Sequence, residues 1–173
     1  MRFLSLLLAA MVVAMVAAGP VAAQVPYQPR GDGFHVEFPG KPALANAEMA
    51  ATRYGTSATA TAKYTAPDGI EFYATHTAYP PGTAAGEPQK VLDTVRIGRT
   101  AVGTLRLQQR FTFEGYPAQR DMVDWHGPRR LVIVALDVMR GDWLYSIYCF
   151  APPGLENEPA IQRFLTSFTL LPQ

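Results

Sequence analysis

Residues 131–150 read LVIVALDVMRGDWLYSIYCF, and this stretch decides the class of fold. Its first part, residues 131–136, is apolar without alternation, which is the pattern of a strand covered on both faces. Residues 143–150 form a second strand-like run, and the Arg-Gly-Asp tripeptide between the runs is typical of a tight turn. The stretch therefore predicts an antiparallel hairpin inside a sheet, with this tripeptide at the hairpin tip rather than serving as an adhesion motif.

The flanking sequence predicts more strands of the same sheet, because short runs with apolar residues at every second position are bounded by turn residues. They cover residues 34–38, 56–65, 70–79, 105–111 and 116–125. Residues 43–53 are ambiguous. Their alanines, with Leu44, Glu48 and Met49, favour helix by propensity, yet they show no clean apolar face at helical spacing.

A change to helical spacing after Pro88 predicts the first helix. Its apolar face comprises Val91, Leu92, Val95, Gly98 and Val102. Pro88 suits the first turn and Gly103 the C-terminal cap. Because glycine has no side chain, Gly98 on the apolar face predicts close approach of the helix to the sheet. We expect Arg96 and Arg99 on the outer side of this helix.

A second helix is predicted to begin at Pro159. Its apolar residues at i, i+3, i+4 and i+7 spacing are Ile161, Phe164, Leu165 and Phe168. Two helices and about seven strands, with no internal repeat and no linker, predict one α+β domain over residues 34–173. Residues 24–33 contain two prolines and two glycines and are expected to be a flexible lead-in.

Residues 1–23 have the pattern of a cleaved secretory signal peptide. Arg2 is followed by an apolar run over residues 3–18, a Gly-Pro helix break and small residues up to a cleavage site between Ala23 and Gln24. The alternative is an uncleaved membrane anchor, which needs about twenty apolar residues. We expect a periplasmic or secreted protein with no transmembrane segment after cleavage.

Composition excludes several classes of protein. With 173 residues, 49% apolar and one cysteine, the chain is not collagen-like, disordered or a disulfide-stapled mini-protein. Cys149 lies in a strand-like run and is expected to be a buried free thiol. Without residues 1–23 the formal charge is zero, which together with export argues against a nucleic-acid partner.

Charge is distributed unevenly along the chain. Between Lys90 and Arg140 there are nine basic residues against five acidic ones. We expect Arg106 and Arg110 on the polar face of one strand, which with Arg96 and Arg99 would form a partner-binding surface for a protein or an anionic envelope component. These four arginines are the predicted binding residues, and the oligomeric state stays open.

Carboxylates and a histidine come closest to a metal cluster at Asp121, Asp124 and His126. Asp121 and Asp124 are three residues apart and should point to opposite faces of a strand, so that only Asp124 and His126 share a side. His35 and His76 are expected to be hydrogen-bonded histidines in or near the core. We therefore expect no metal site, no catalytic residues and no cofactor.

Three short segments resemble the signal-bearing bacterial members of the PsbP-like family. They are FHVEFPGKP at residues 34–42, GYPAQR at residues 115–120 and RFLTSF at residues 163–168. The resemblance implies an α/β/α sandwich, an antiparallel sheet of about six to seven strands flanked by two main helices, and it favours a strand for residues 43–53. The family includes extrinsic photosystem subunits that act as non-enzymatic assembly and stabilisation factors, and many bacterial relatives without an assigned activity.

Two hypotheses of function follow. The first is an exported, non-enzymatic PsbP-like domain that binds a protein partner or envelope component, with the loop over residues 77–88 and the strip near Arg106 as contact surfaces. The alternative is an exported hydrolase or metal-dependent enzyme that uses Asp124 and His126, together with His35 or His76. The alternative requires three of these side chains to meet in one cleft.

Overall fold

The computed structural model describes residues 23–29 and 33–172. The predicted signal sequence therefore lies outside the described residues except for Ala23. Within the described part, no helix is long and apolar enough to cross a bilayer.

Strands dominate the described chain, and a helix lies between the fifth and sixth strands and another before the last. The strands are β1 (Val25–Tyr27), β2 (Phe34–Phe38), β3 (Ala43–Thr52), β4 (Gly55–Thr65), β5 (Glu71–Ala78), β6 (Gly103–Phe113), β7 (Tyr116–Trp125), β8 (Leu131–Arg140), β9 (Trp143–Ala151) and β10 (Thr169–Leu170). The helices are α1 (Pro88–Thr100) and α2 (Pro159–Thr166).

Seven strands form the main sheet in the order β3-β4-β5-β9-β8-β7-β6, and every neighbouring pair is antiparallel. A smaller sheet has the order β1-β2-β10. Helix α1 packs on β6, β7 and β8, whereas α2 packs on β2 and β9 on the other face. This arrangement confirms the predicted α/β/α sandwich.

The hairpin of β8 and β9 is the centre of the sheet, as predicted. In β8 all residues except Arg140 are buried, because α1 and the larger core cover its two faces. The larger core lies between the main sheet and the layer of α2 and β2. There Phe164 packs against Phe38 and Phe72, with ring centroids 4.8 Å and 5.3 Å apart. The predicted apolar spacing of the second helix is thus confirmed.

Residues 43–52 form a strand despite their helical propensity. β3 pairs with β4 from Ala43 opposite Lys63 to Thr52 opposite Gly55, with an irregularity between Ala45 and Glu48. Tertiary pairing thus overrides the local preference of the alanines. The strand implied by the family resemblance is confirmed.

The expected flexible lead-in is wrong for residues 25–27, which form β1. This strand pairs with β2 on one side only, and a proline at position 26 is tolerated because an edge strand leaves a donor position unpaired. The Tyr27 ring packs edge-on against Phe34 and Phe38 at 6.0 Å and 5.9 Å. These aromatic contacts order the segment, and proline and glycine counts do not reveal them.

The predicted orientation of α1 is wrong in its C-terminal half. Gly98 is exposed, and a Cβ placed there would meet nothing within 4 Å. Arg99 instead points to the sheet, where its side chain is 13% exposed. The helix ends at Thr100, and Gly103 is the first residue of β6, not a cap. A Cβ on Gly103 would lie 2.5 Å from the Asp124 carbonyl oxygen, so glycine is needed at this position because β6 and β7 approach closely there.

Candidate functional site

Strand β6 forms one edge of the main sheet and is exposed along most of its length. Among the strands of the described residues it hydrogen-bonds to β7 alone, and residues 104–110 are all exposed. Leu105 and Leu107 are 36% and 50% exposed, so this edge presents apolar as well as polar side chains. An uncovered edge of eleven residues offers backbone donors and acceptors to another chain.

A β-bulge changes which way the arginines of β6 point. Leu105 lies opposite Val123 but Leu107 lies opposite Met122, so one extra residue is inserted between them. As a result Arg106 faces Asp124 and Glu156, whereas Arg110 faces Asp93 of α1. The expectation that both arginines share one face is therefore wrong. A strict two-residue repeat holds only while the register is unbroken.

Arg106 is held by two carboxylates. Its Nε donates to Asp124 Oδ2 at 2.7 Å, and its Nη2 lies 2.5 Å from Asp124 Oδ1. Its Nη1 donates to Glu156 Oε1 at 2.7 Å. The hydrogen bonds that Arg106 donates to Asp124 and Glu156 raise the pKa of Arg106 above its usual value. The guanidinium is thus fixed in place while 38% of the side chain remains accessible.

A cleft of about 300 Å³ opens beside Arg106 at the end of the sheet. It is lined by Thr104, Arg106, Asp124, Trp125, His126, Arg130, Leu131 and Pro153. His126 hydrogen-bonds to Thr104 Oγ1 at 3.1 Å. Arg130 is exposed, and its guanidinium makes no hydrogen bond or ion pair with another described residue. The cleft therefore combines an apolar wall with one fixed and one free guanidinium.

The remaining predicted arginines lie near α1. Arg110 Nη2 donates to Asp93 Oδ1 at 2.7 Å, and Arg96 Nη2 lies 3.9 Å from the same oxygen. Arg96 is half-buried, with its side chain 21% exposed. The four arginines consequently do not form one surface. Arg106 and Arg110 lie on opposite sides of the β6 edge, and Arg99 is withdrawn from solvent.

Arg99 belongs to a buried polar network that the sequence did not predict. Asp137 accepts from Nη1 and Nη2 of Arg99, the latter at 2.7 Å, and its Oδ1 also accepts from Ser146 Oγ at 2.6 Å. Gln119 Nε2 donates to the Leu92 carbonyl oxygen at 2.8 Å, tying α1 to β7. The one sequence signal that points to this network is the position of Asp137 within an otherwise apolar strand, because a buried carboxylate requires a partner.

Asp121 lies at the edge of the same network. Its Oδ2 lies 3.5 Å from Arg99 Nη1 and 3.3 Å from Gln119 Nε2, while its Oδ1 has no hydrogen-bond partner among the described residues. Burial and the negative charge of Asp137 raise the pKa of Asp121 to about 6, against the opposing effect of Arg99. The carboxyl group of Asp121 therefore binds a proton at a higher pH than an ordinary aspartate does.

The histidines and acids of the alternative hypothesis are separated. Asp121 lies on the face of the sheet that α1 covers, and Asp124 lies on the opposite face, which confirms their predicted opposite orientation. Asp124 and His126 line one cleft, but His76 packs against Phe34 and Trp143, and His35 lies in β2. Over residues 23–29 and 33–172, no three His, Cys, Asp or Glu side chains are grouped to hold a metal ion.

Cys149 is fully buried and not in a disulfide. Burial raises the pKa of its thiol well above the usual value, so that the reactive thiolate is disfavoured. Its side chain is part of the larger core. The prediction of a buried free thiol is confirmed.

The antiparallel sheet covered by helices on both faces defines an α/β/α sandwich of the PsbP type. The chain matches the solution structure of cyanobacterial PsbP (CyanoP) from Synechocystis sp. PCC 6803 with a TM-score of 0.57, over 92% of this chain and 98% of that one. The sequences are 10% identical, so the likeness establishes the fold.

A second similar structure is a protein of unknown function from Pseudomonas aeruginosa described as a putative regulator. It matches 87% of this chain and 97% of its own, with 14% identity and a TM-score of 0.45. No family model and no curated protein matches the sequence.

Proposed function

We propose that this chain is an exported, non-catalytic binding module of the PsbP fold, and that the β6 edge with its adjoining cleft binds an extended segment of a protein partner in the cell envelope. The observation that carries the proposal is the exposure of β6 over residues 104–110 at the edge of the seven-stranded sheet. A strand added to such an edge gains main-chain hydrogen bonds without rearrangement of the sheet.

The chemistry along the edge indicates the kind of segment that fits. Leu105 and Leu107 supply apolar contacts, and Arg110 is 52% exposed in its side chain despite its bond to Asp93. Arg130 adds a free positive charge beside the cleft. A partner strand with apolar residues and acidic residues would complement both features.

The other edge of the sheet fits such a partner less well. β3 also exposes apolar side chains, Leu44 at 68% and Met49 at 69%. Its one charged residue, however, is Glu48, and no arginine or lysine lies in the strand. An acidic segment would find no positive partner there, which favours β6.

Affinity capture with matched variants tests the binding proposal. Envelope extract is passed over immobilised wild-type chain beginning at Gln24, over Arg106→Gln/Arg110→Gln, and over the control Arg163→Gln, which changes an exposed arginine of α2. Glutamine is used because glutamate at position 106 would stand against Asp124 and Glu156. Circular dichroism of each variant confirms that it is folded.

We expect one protein that wild type and the control recover equally and the double variant loses. Recombinant copies of that protein should then bind the purified chain with the same order of affinities. Equal recovery by all three chains would contradict a role for β6.

The export part of the proposal rests on the signal-like residues 1–23. N-terminal sequencing of the mature protein from the periplasm or medium is expected to begin at or near Gln24. Recovery of a chain that still begins at Met1 from a membrane fraction would contradict cleavage.

A further inference from the structure

We propose that Asp121 is a proton-controlled latch, which holds the C-terminal half of α1 against the sheet when it is protonated and weakens that attachment when it is ionised. The latch acts within the isolated chain and does not depend on the proposed binding function.

The two halves of α1 are attached to the sheet by different chemistry. Val91 and Leu92 in the first turns are buried in an apolar cluster with Met139 and Leu144. In the second half Ile97 is 56% exposed and Gly98 faces open space. Val95 still packs, partly buried, against that apolar cluster. Beyond it, the side chains of low exposure are those of Arg96, at 21%, and Arg99, at 13%. Electrostatic contacts therefore supply much of the attachment of α1 beyond Val95.

The surroundings of Asp121 include charged and polar groups from every packed element. Helix α1 contributes Arg96 and Arg99. The strands contribute Gln119 of β7, Asp137 of β8, Tyr148 of β9 and Gln108 of β6, which lies opposite Asp121 in the sheet. The guanidinium of Arg99 lies over the Tyr148 ring, 5.7 Å from its centroid. Two carboxylates here share the guanidinium of Arg99, which is bonded to Asp137 through two nitrogens. From Arg99, Asp121 receives one long contact of 3.5 Å, and Gln119 Nε2 donates to the same oxygen at 3.3 Å, so Asp121 is the less well compensated carboxylate of the two.

The direction of the effect follows from where the proton is bound. In the docked state burial and Asp137 raise the pKa of Asp121 to about 6, whereas solvent exposure after undocking would return it towards 3.8. The docked state therefore binds the proton more strongly. The stabilisation of the docked state that results from this proton is complete below about pH 4 and is lost as the pH rises through about 6. Between about pH 5 and about pH 7.5 the opening equilibrium should increase about tenfold.

Undocking would change the surface of the protein. Arg99 and the half-buried Arg96 would enter solvent near Arg110, on the same side of the sheet. Ionised Asp121 would thereby favour exposure of arginines that the docked state withholds.

Hydrogen exchange read by mass spectrometry tests the latch on the full mature chain. Amides of residues 96–103 are compared at about pH 5 and about pH 7.5 after correction for intrinsic exchange rates. The variants are Asp121→Asn, which removes the titrating group with little change in shape, and Asp121→Ser as a second neutral side chain. Asp93→Asn is the matched control, because Asp93 contacts Arg96 and Arg110 but not Asp121.

We expect about tenfold faster opening of this segment at the higher pH in wild type and in the control. Both Asp121 variants should lose that pH dependence and retain the protection seen at low pH. A wild-type segment with equal protection at both pH values would overturn the proposal. So would an unchanged pH response in the Asp121 variants.

Discussion

Replacement of Asp137 by asparagine is expected to destabilise this protein more than any surface change of charge. Asp137 is fully buried, and its carboxylate accepts two hydrogen bonds from Arg99, one from Ser146 and a longer one of 3.3 Å from Gln119 Nε2. Asparagine keeps the shape but removes the negative charge and one acceptor. The guanidinium of Arg99 is then left inside the protein with Asp121 Oδ2 at 3.5 Å as its remaining anionic neighbour.

The magnitude follows from the loss of one member of a buried ion pair. Removal of such a partner destabilises a protein by about 3–5 kcal/mol, because the other charge remains buried without full compensation. Asp121 is mostly ionised at pH 7.5 and compensates Arg99 in part, so the lower end, about 3 kcal/mol, is expected. That loss is a large share of the roughly 5–15 kcal/mol that stabilise a typical domain.

Urea denaturation followed by circular dichroism at pH 7.5 measures this change in the free energy of unfolding. Asp93→Asn, which alters a more exposed ion pair with Arg110, should change stability by less than about 1 kcal/mol. The double variant Arg99→Met/Asp137→Leu should be more stable than Asp137→Asn, because it leaves no buried charge of the pair. A loss below about 1 kcal/mol for Asp137→Asn would refute this account of how α1 is attached.

Three further outcomes are expected. Phe164→Ala should lower the free energy of unfolding by about 3–5 kcal/mol, since its ring is fully buried, and Gln162→Ala on the exposed side of α2 should be near neutral in the same urea titration. Cys149 should react with a thiol reagent only after denaturation, because it is buried and its pKa is raised; labelling of the folded chain at the rate of the unfolded one would contradict its burial. Asp142→Ala should expose the loop over residues 79–87 to limited proteolysis, because it removes the carboxylate bonded to the Ala84 amide at 3.0 Å; an unchanged cleavage pattern would show that this bond does not hold the loop.

Local patterns predicted the parts of the fold whose residues lie close together in the chain. The apolar run at residues 131–136 identified the covered strand, and the spacing from Ile161 to Phe168 identified the buried face of the last helix. Both patterns report which side of an element is buried, and burial dominates the choice of element.

Contacts between residues far apart in sequence were not predictable in this way. Arg99 and Asp137 are 38 positions apart in the sequence. Charged residues are rarely buried unless they are paired, so Arg99 was expected in solvent because nothing near it in the sequence indicates a buried partner. The bulge at β6 likewise depends on the pairing with β7, not on the composition of either strand. Arg106 lies exposed on β6, the strand on which it was expected, while the expected grouping of the four arginines was wrong. That these arginines bind a partner stays a prediction.

The β1 segment shows the same limit. Its proline suggested an irregular lead-in, yet the Tyr27 ring packs against two aromatic rings of β2 in the small sheet. The ring contacts of one tyrosine outweigh the preference of its neighbours.

Site-specific photo-crosslinking tests the central claim, that the β6 edge binds a protein partner, most directly. A photoreactive side chain is placed at Leu107 on the exposed edge and, as a control, at Gln162 on the exposed side of α2, and each chain is illuminated in envelope extract. The account predicts one protein adduct from position 107 that excess wild-type chain abolishes and excess Arg106→Gln/Arg110→Gln chain does not. Absence of that adduct, or the same adduct from position 162, would contradict it.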